Sequence, residues 1–233
     1  FLFILDMRAM ADAVSGDGDS LTIELTGRQW WWEVHYTEQQ FYTANEIHIP
    51  AGQPVELKLR SEDVIHSFWV PQLSGKLDLI PDRVNTLWIQ ADQPGEYWGA
   101  CAEFCGVQHA QMQIVVVAQP EDEFNAWLAA QQQPSARPET VETQRGQEVF
   151  LSTTCIECHT VRGIQATGEL GPDLTHLASR MTLGAGSVPN TIGNLGGWVA
   201  DPQSIKPGNF MPPTQNLNSE DFSALLAYLQ SLK

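Results

Sequence analysis

Two thiols, one imidazole and one thioether lie within a twelve-residue segment near the middle of the chain. They are Cys101, Cys105, His109 and Met112. Thiolates and thioethers are soft ligands and imidazole suits copper, so this set fits copper far better than calcium or magnesium. Zinc would accept cysteine and histidine but has no use for the methionine. The pattern therefore predicts a copper site, and a Cys101–Cys105 disulfide beside a core methionine is the alternative.

A second cysteine motif occupies residues 155–159, where Cys155 and Cys158 are followed directly by His159. This Cys-x-x-Cys-His pattern is the attachment signal for a c-type heme. The two thiols can reach the vinyl groups of heme, and the adjacent imidazole can reach the iron. A thioredoxin-like dithiol is the alternative. It is disfavoured because no βαβ pattern surrounds the motif and a redox dithiol needs no following histidine.

Short strands separated by turn residues are predicted between residues 20 and 118. They cover residues 21–25, 30–36, 55–59, 65–70, 84–91, 96–100 and 112–117. Their spacing near ten residues, with proline and glycine at the breaks, predicts an antiparallel sandwich or barrel. The copper motif then lies on the loop between the last two strands. His66, at the start of another strand, could supply a second imidazole, although a lone histidine of this kind is usually a core residue.

The sequence character changes after Val117. Residues 120–128 predict a short helix with proline and acidic residues in its first turn. Residues 131–138 contain glutamines and prolines that offer nothing to a core, and they are typical of a semi-stiff linker. A second domain should begin near residue 140, and its clearest helix starts at Ser219 as N-cap.

The charge and the N-terminus limit the partners and the location. The chain carries 28 acidic and 12 basic side chains, a net charge of −16. Phosphate binding needs clustered lysine and arginine, so nucleic acid is excluded and any large charged partner should be basic. No stretch reaches the roughly 18 to 20 apolar residues that cross a bilayer. The apolar start of residues 1–5, without an initiator methionine, resembles the cut end of a longer helix, with a frayed amphipathic end as the alternative.

Several segments together resemble subunit II of the cytochrome c oxidases. They are residues 29–32, 66–71, 76–83, 94–99 and 101–112. The resemblance runs over about residues 20–128 and implies a cupredoxin-like Greek-key domain that holds CuA, a pair of coppers bridged by two thiolates. A C-terminal cytochrome c resembles the heme-c-fused subunit II of some bacterial oxidases. The implied fold class is a mostly β cupredoxin-like sandwich or barrel followed by an all-α c-type cytochrome domain.

These expectations divide the chain into four regions. They are the end of a truncated transmembrane helix with its connector (1–19), the CuA domain (20–119), a short helix with the linker (120–143) and the cytochrome c domain (144–233).

The resemblance implies a complete ligand set for the two coppers. The bridges are Cys101 and Cys105, one copper is served by His66 and Met112, and the other is served by His109 and the main-chain carbonyl of Glu103. The Glu103 side chain is also implied as a magnesium ligand at the contact with subunit I, which suits a hard carboxylate oxygen. Trp30 is implied as the electron entry point near CuA, with plain strand packing as the alternative.

The heme ligands follow from the second resemblance. Cys155 and Cys158 form the thioethers, and His159 is one axial ligand of the iron. The sixth ligand is Met211, because residues 209–213 resemble the Met-Pro loop of these cytochromes. Met181 is the competitor. A methionine in this position raises the reduction potential.

The combination implies an electron-entry subunit of a bacterial terminal oxidase, on the outer face of the cytoplasmic membrane and anchored by upstream transmembrane helices. Electrons would pass from a cytochrome c or a cytochrome bc-type complex through heme c and CuA to subunit I, where oxygen is reduced and protons are pumped. The chain has no catalytic residue of its own in this scheme. A nitric oxide reductase subunit and a free-standing copper and heme carrier are alternatives. A nitrous oxide reductase is disfavoured, because that family usually has tryptophan at the position of Glu103.

Overall fold

The computed structural model describes residues 20–233. The predicted end of a transmembrane helix, residues 1–19, lies outside the described residues. Within the described range, none of the helices has the length and apolar character needed to span a bilayer.

Two five-stranded sheets form the first part of the chain. Their strands are β1 (Thr22–Arg28), β2 (Trp31–Tyr36), β3 (Phe41–Ala44), β4 (Glu46–Pro50), β5 (Val55–Ser61), β6 (His66–Trp69), β7 (Leu77–Leu79), β8 (Asn85–Ile89), β9 (Gly95–Cys101) and β10 (Gln113–Gln119). One sheet has the order β3-β2-β1-β5-β8 and the other β4-β10-β9-β6-β7. The alternating apolar residues of β1 and β5 are fully buried between the sheets, as their pattern predicts.

The sandwich is not purely antiparallel, so that part of the prediction is wrong. β1 pairs with β5 in parallel, and β4 pairs with β10 in parallel. Parallel neighbours arise where the chain crosses from one sheet to the other. One such crossing lies at Asn45, which has a φ of 65° and accepts a hydrogen bond from the Trp32 main-chain N–H at 2.9 Å. The sharp turn sends β4 into the second sheet directly after β3.

Strand pairing brings the two halves of the predicted copper site together. β6 begins at His66, and β9 ends at Cys101. The two strands are antiparallel neighbours, with Phe68 opposite Cys101. The loop that follows Cys101 includes a short 3-10 helix, His109–Gln111, and returns through Met112 to β10.

A helix and an irregular segment lead from the sandwich to the second part. Helix α1 (Glu121–Gln131) lies where the sequence predicts it and packs on the sandwich. Its Trp127 stacks on the His48 ring, with centroids 4.0 Å apart. Residues 132–140 contain neither helix nor strand.

The second part has a separate apolar core and, within the described residues, five α-helices. They are α2 (Val141–Ser152), α3 (Cys155–Cys158), α4 (Ile192–Ala200), α5 (Pro202–Ile205) and α6 (Ser219–Ser231). Two small hairpins accompany them: β11 (Thr160–Val161) with β12 (Ala166–Thr167), and β13 (Thr182–Leu183) with β14 (Val188–Pro189). The part is therefore helical without being all-α. The N-cap of α6 is Asn218 rather than Ser219, because the Asn218 side chain accepts the Asp221 main-chain N–H at 2.9 Å.

We expect Gly146→Ala to destabilise the helical part, because α2 and α6 cross closely at this residue. A Cβ atom at position 146 would lie 1.9 Å from the main-chain oxygen of Ala224. Overpacking of this kind should lower the free energy of unfolding by about 2–3 kcal/mol. Denaturant unfolding followed by the helical circular dichroism signal measures the change. Gly193→Ala in α4 is the control, since nothing lies within 4 Å of the added Cβ. Equal unfolding midpoints for the two variants would contradict the close crossing.

Candidate metal centres

Cys101 and Cys105 form the centre of the first cluster. Their sulfur atoms are 3.8 Å apart, and both thiols are free and buried. A disulfide would require a separation of about 2.05 Å. The structure therefore holds two separate thiols, and the alternative of a disulfide does not apply to it.

The other four predicted copper ligands surround this thiol pair. The Cys101 sulfur lies 3.9 Å from His66 Nδ1 and 3.2 Å from the Glu103 carbonyl oxygen. The Cys105 sulfur lies 3.7 Å from His109 Nδ1 and 3.9 Å from the Met112 sulfur. All four residues thus place a donor atom within 4 Å of a thiol sulfur, and the six predicted residues form one cluster. This donor set is soft, with two imidazoles added, and it suits copper.

Asp63 orients the imidazole of His66. Its Oδ1 atom lies 2.8 Å from His66 Nε2, on the side of the ring opposite the thiols. Burial acts to lower the pKa of His66, but the bonds to Asp63 and Cys101 outweigh it and raise that pKa above its ordinary value. A carboxylate behind a ligating histidine fixes the tautomer and the ring direction. Sequence reasoning missed Asp63, which lies three residues before His66 in the preceding loop.

The pKa values of the two thiols are shifted in opposite directions. The hydrogen bond from Cys105 lowers the pKa of Cys101, burial opposes this shift, and His66 supports it. The same contact with Cys101 raises the pKa of Cys105, because a second thiolate would lie against the first. One thiolate therefore forms readily and the second does not. Cations between the sulfurs would stabilise both thiolates, and their binding would release a proton.

Trp30 lies directly behind the copper-site loop. Its indole N–H donates to the Cys105 carbonyl at 2.9 Å. Gly106 permits this approach, because its φ is 117° and a Cβ there would lie 2.9 Å from the Trp30 ring. The indole is only 7% exposed, and the Phe210 ring of the helical part stacks on it with centroids 5.2 Å apart. Trp30 thus connects the copper-site loop to the other half of the chain.

The second cysteine motif forms a single helical turn. Cys155 and Cys158 are free, half-buried thiols at the two ends of α3, and His159 follows. The His159 Nδ1 atom lies 2.7 Å from the Pro172 carbonyl oxygen, so Nδ1 carries the proton and Nε2 retains a lone pair. Burial lowers the pKa of His159. The ring is therefore a neutral imidazole with a free ligating nitrogen.

Met211 and Met181 lie in different surroundings. The Met211 main-chain N–H donates to Asn209 Oδ1 at 2.8 Å, and Gln203 donates to the Met211 carbonyl at 3.1 Å. These bonds fix the loop after α5. The Met181 main-chain N–H donates to Glu46 of the sandwich at 2.6 Å. The backbone of Met181 therefore belongs to the contact between the two parts of the chain.

Sequence reasoning also missed Lys206 and Phe210, two residues of the helical part that contact Trp30. Phe210 had one signal, its position directly before Met211. Lys206 had none, because nothing in its local sequence indicates burial.

Comparison with known proteins agrees with both motifs. The family model "Cytochrome C oxidase subunit II, periplasmic domain" matches residues 38–119, and the model "Cytochrome c" matches residues 143–233. The protein named cytochrome c oxidase subunit 2 of Bacillus sp. (strain PS3) is 33% identical over 240 residues, which cover 99% of this chain and 67% of that protein. The chain belongs to the cytochrome c oxidase subunit 2 family.

Another subunit 2, from Alkalihalophilus pseudofirmus, is 40% identical over 222 residues, which cover 95% of this chain and 64% of that protein. The chain thus spans about two thirds of the length of these subunit 2 relatives. A solved structure, the periplasmic domain of subunit II of cytochrome oxidase (CoxB) of Bradyrhizobium japonicum, is 31% identical with a TM-score of 0.48. The match covers 50% of this chain and 95% of the solved chain. Membership of the subunit 2 family confirms the resemblance seen in the sequence. The β-rich, cupredoxin-like first part agrees with it.

Proposed function

We propose that this chain is the electron-entry subunit of a bacterial heme–copper terminal oxidase. It would receive electrons from a donor at a heme c, pass them to a CuA centre and deliver them to subunit I, where oxygen is reduced with proton pumping. The observation that carries the proposal is the presence of both donor sets in one chain of the subunit 2 family. The cluster around the thiol pair and the His159 ring held by Pro172 support it.

The residues around the thiol pair fit a dinuclear copper centre. Cys101 and Cys105 would bridge the two ions, and each ion would gain one imidazole. His66 with Met112 would serve one copper, and His109 with the Glu103 carbonyl would serve the other. A bound copper pair supplies one-electron chemistry at this place. The chain would hold the ligands rigidly, because the residues come from paired strands and from a loop pinned by Trp30.

The residues around α3 fit a covalent heme. Cys155 and Cys158 would form the thioether bonds, and His159 Nε2 would face the iron while Pro172 holds Nδ1. The neutral state of His159 is the one that can bind a metal. Met211 would be the second axial ligand. A thioether in this position favours the reduced iron and raises the potential.

The proposal also includes a magnesium site at Glu103 and contacts with subunit I and an electron donor. The Glu103 carboxylate is 46% exposed and lies 3.8 Å from Lys76 Nζ. In the part of the chain that the structure describes, the one cluster of three His, Cys, Asp or Glu ligands is His66, Cys101 and Cys105. Further magnesium ligands would have to come from subunit I. The family model for a periplasmic domain supports a place on the outer face of the membrane. A cytochrome donor on that face is part of the proposal.

Metal analysis and electron paramagnetic resonance of the chain, exported and matured with heme attachment, test the proposal. We expect about two coppers per chain, since two thiolates and two imidazoles can serve two ions, and one covalent heme. Two equivalent copper nuclei of spin 3/2 that share one electron should give a seven-line pattern. A four-line pattern from a single copper would overturn the dinuclear assignment. A chain without covalent heme after correct export would overturn the cytochrome assignment.

A further inference from the structure

Lys206 is a lysine buried at the contact between the two parts of the chain. It follows helix α5, and its side chain is 2% exposed. Burial lowers the pKa of Lys206 to about 7, and the nearby Cys105 opposes that shift. A buried lysine is costly unless its ammonium group is fully hydrogen-bonded.

The Lys206 ammonium has three hydrogen-bond acceptors, all of them main-chain carbonyl oxygens. They belong to Trp30 at 2.8 Å, Gln111 at 2.7 Å and Gly184 at 2.7 Å. An ammonium has three N–H donors and a neutral amine has only two, so the charged form alone satisfies the whole set. Trp30 precedes β2, Gln111 lies in the copper-site loop, and Gly184 lies in the turn between β13 and β14. One side chain therefore ties the copper-site loop to the helical part.

Two further bonds surround Lys206 at the same contact. The Gln113 main-chain N–H donates to the Ala185 carbonyl at 3.0 Å. The Gln108 side chain donates to the carbonyl of Pro207, the residue after Lys206. Gln108 directly precedes the predicted ligand His109, and Gln113 directly follows the predicted ligand Met112. The contact is thus formed with the loop that would hold copper.

The linker is also attached to the helical part. The Ser135 main-chain N–H donates to the Arg162 carbonyl at 3.0 Å. Arg162 in turn donates to the Gln132 carbonyl at 3.2 Å, and His176 Nε2 lies 3.0 Å from the Gln133 carbonyl. The helical part is consequently held through the linker, through the bond from Met181 to Glu46 and through Lys206. The linker bonds lie outside the copper-site loop, so they cannot position Phe210 by themselves.

We propose that Lys206 is the positioning residue that docks the helical part on the copper-site loop, so that Phe210 covers Trp30 against donor proteins outside the chain. The docking itself needs no metal. Its role in electron transfer rests on the proposed function. An outside donor would then reach the helical part and not Trp30. One electron would leave the heme iron, oxidised from Fe(II) to Fe(III), and would reduce the copper pair by one electron. No proton or covalent bond changes in that step.

Amide hydrogen exchange of the full chain tests the docking. Lys206→Met keeps the length of the side chain and removes its charge, and Lys58→Met on β5 is the matched control. The reporters are the amides of Gln113 and Met181, which donate across the contact. Loss of a charged hydrogen-bonding group should lower their protection by about tenfold to a hundredfold. The Leu25 amide inside the sandwich should not change, which shows that the variant still folds. Unchanged protection of Gln113 and Met181 would overturn the proposal.

Phe210→Ala tests the cover over Trp30 separately. The Phe210 side chain is 73% exposed, so the fold should not depend on it. Hydroxyl-radical footprinting read by mass spectrometry should show several times more oxidation of Trp30, with Gln113 and Met181 as well protected as before. No increase at Trp30 would contradict the proposed cover.

The electron-transfer consequence needs a third measurement on the chain loaded with both groups. Laser-triggered reduction of the heme should be followed by rapid oxidation of the heme in the unaltered chain and in Lys58→Met. In Lys206→Met the step should slow by about tenfold or more, since only the docked fraction reacts. Copper and heme spectra should be unchanged. Missing spectra in the unaltered chain would refute the proposed function, while the exchange experiment would still decide the docking. An unchanged rate together with lost amide protection would refute the link between docking and electron transfer.

Discussion

Replacing Cys105 with serine is expected to abolish the shared copper spectrum. The Cys105 sulfur lies between Cys101, His109 and Met112, so its loss removes the contact that joins both halves of the donor set. A hydroxyl is a hard and weak ligand for copper, and the bridge requires two thiolates. Copper content should fall from about two ions to at most about one, and the seven-line pattern should disappear. Electron paramagnetic resonance and metal analysis measure both effects.

Met112→Leu should have a smaller effect on copper binding than Cys105→Ser. A neutral thioether would hold copper less strongly than the two thiolates, so some copper should stay bound and its potential should change. Cys101→Ser should behave like Cys105→Ser. A Cys105→Ser chain that kept the shared spectrum would show that the two ions are not bridged by this residue.

Replacing Met211 with histidine is expected to lower the heme potential while leaving the heme covalently attached. Axial ligand identity sets heme potentials, and exchange of a thioether for an imidazole should lower this one by on the order of a few hundred millivolts. The sulfur-to-iron charge-transfer absorption should be lost. Redox titration and visible spectroscopy of the purified chain provide both readings.

Met181→Leu is the matched control for the axial assignment. Its backbone is bound to Glu46, and a leucine would keep that bond. The potential and the charge-transfer absorption should therefore be unaffected. If Met181→Leu removed the absorption and Met211→His did not, the two methionines would have to exchange roles.

The cluster of donor atoms around the two thiols could be predicted from sequence because five of the six residues lie on one loop, residues 101–112. The separation of Cys101 from Met112 already limits how far apart their side chains can lie. His66 needed the resemblance, since only strand pairing brings β6 beside β9. Asp63 could not be predicted, because an acidic residue before a strand is normally solvated. Its role depends on the direction of the His66 ring, which spacing does not define.

The strands of residues 41–50 escaped sequence reasoning for a local reason. β3 and β4 are separated by a single residue, Asn45, and no proline or glycine marks the break. Helix α4 was missed because it contains Gly193, Gly196 and Gly197, which weaken helix propensity. Its stability comes instead from burial of Leu195 and Val199 in the core. These strands and this helix therefore depend on tertiary packing, which local sequence patterns do not reveal.

The hydrogen bonds of Lys206 have a consequence for how this contact changes during evolution. All three acceptors are main-chain carbonyls, which residues of any type provide. Substitutions at Gln111 would leave its carbonyl in place, and they would require no compensating change at position 206. Paired substitutions, which reveal many spatial contacts in alignments, would therefore leave little trace of this one. A designer who joins a different cytochrome to this sandwich would need to transfer the lysine and the backbone path around it, but few of the facing side chains.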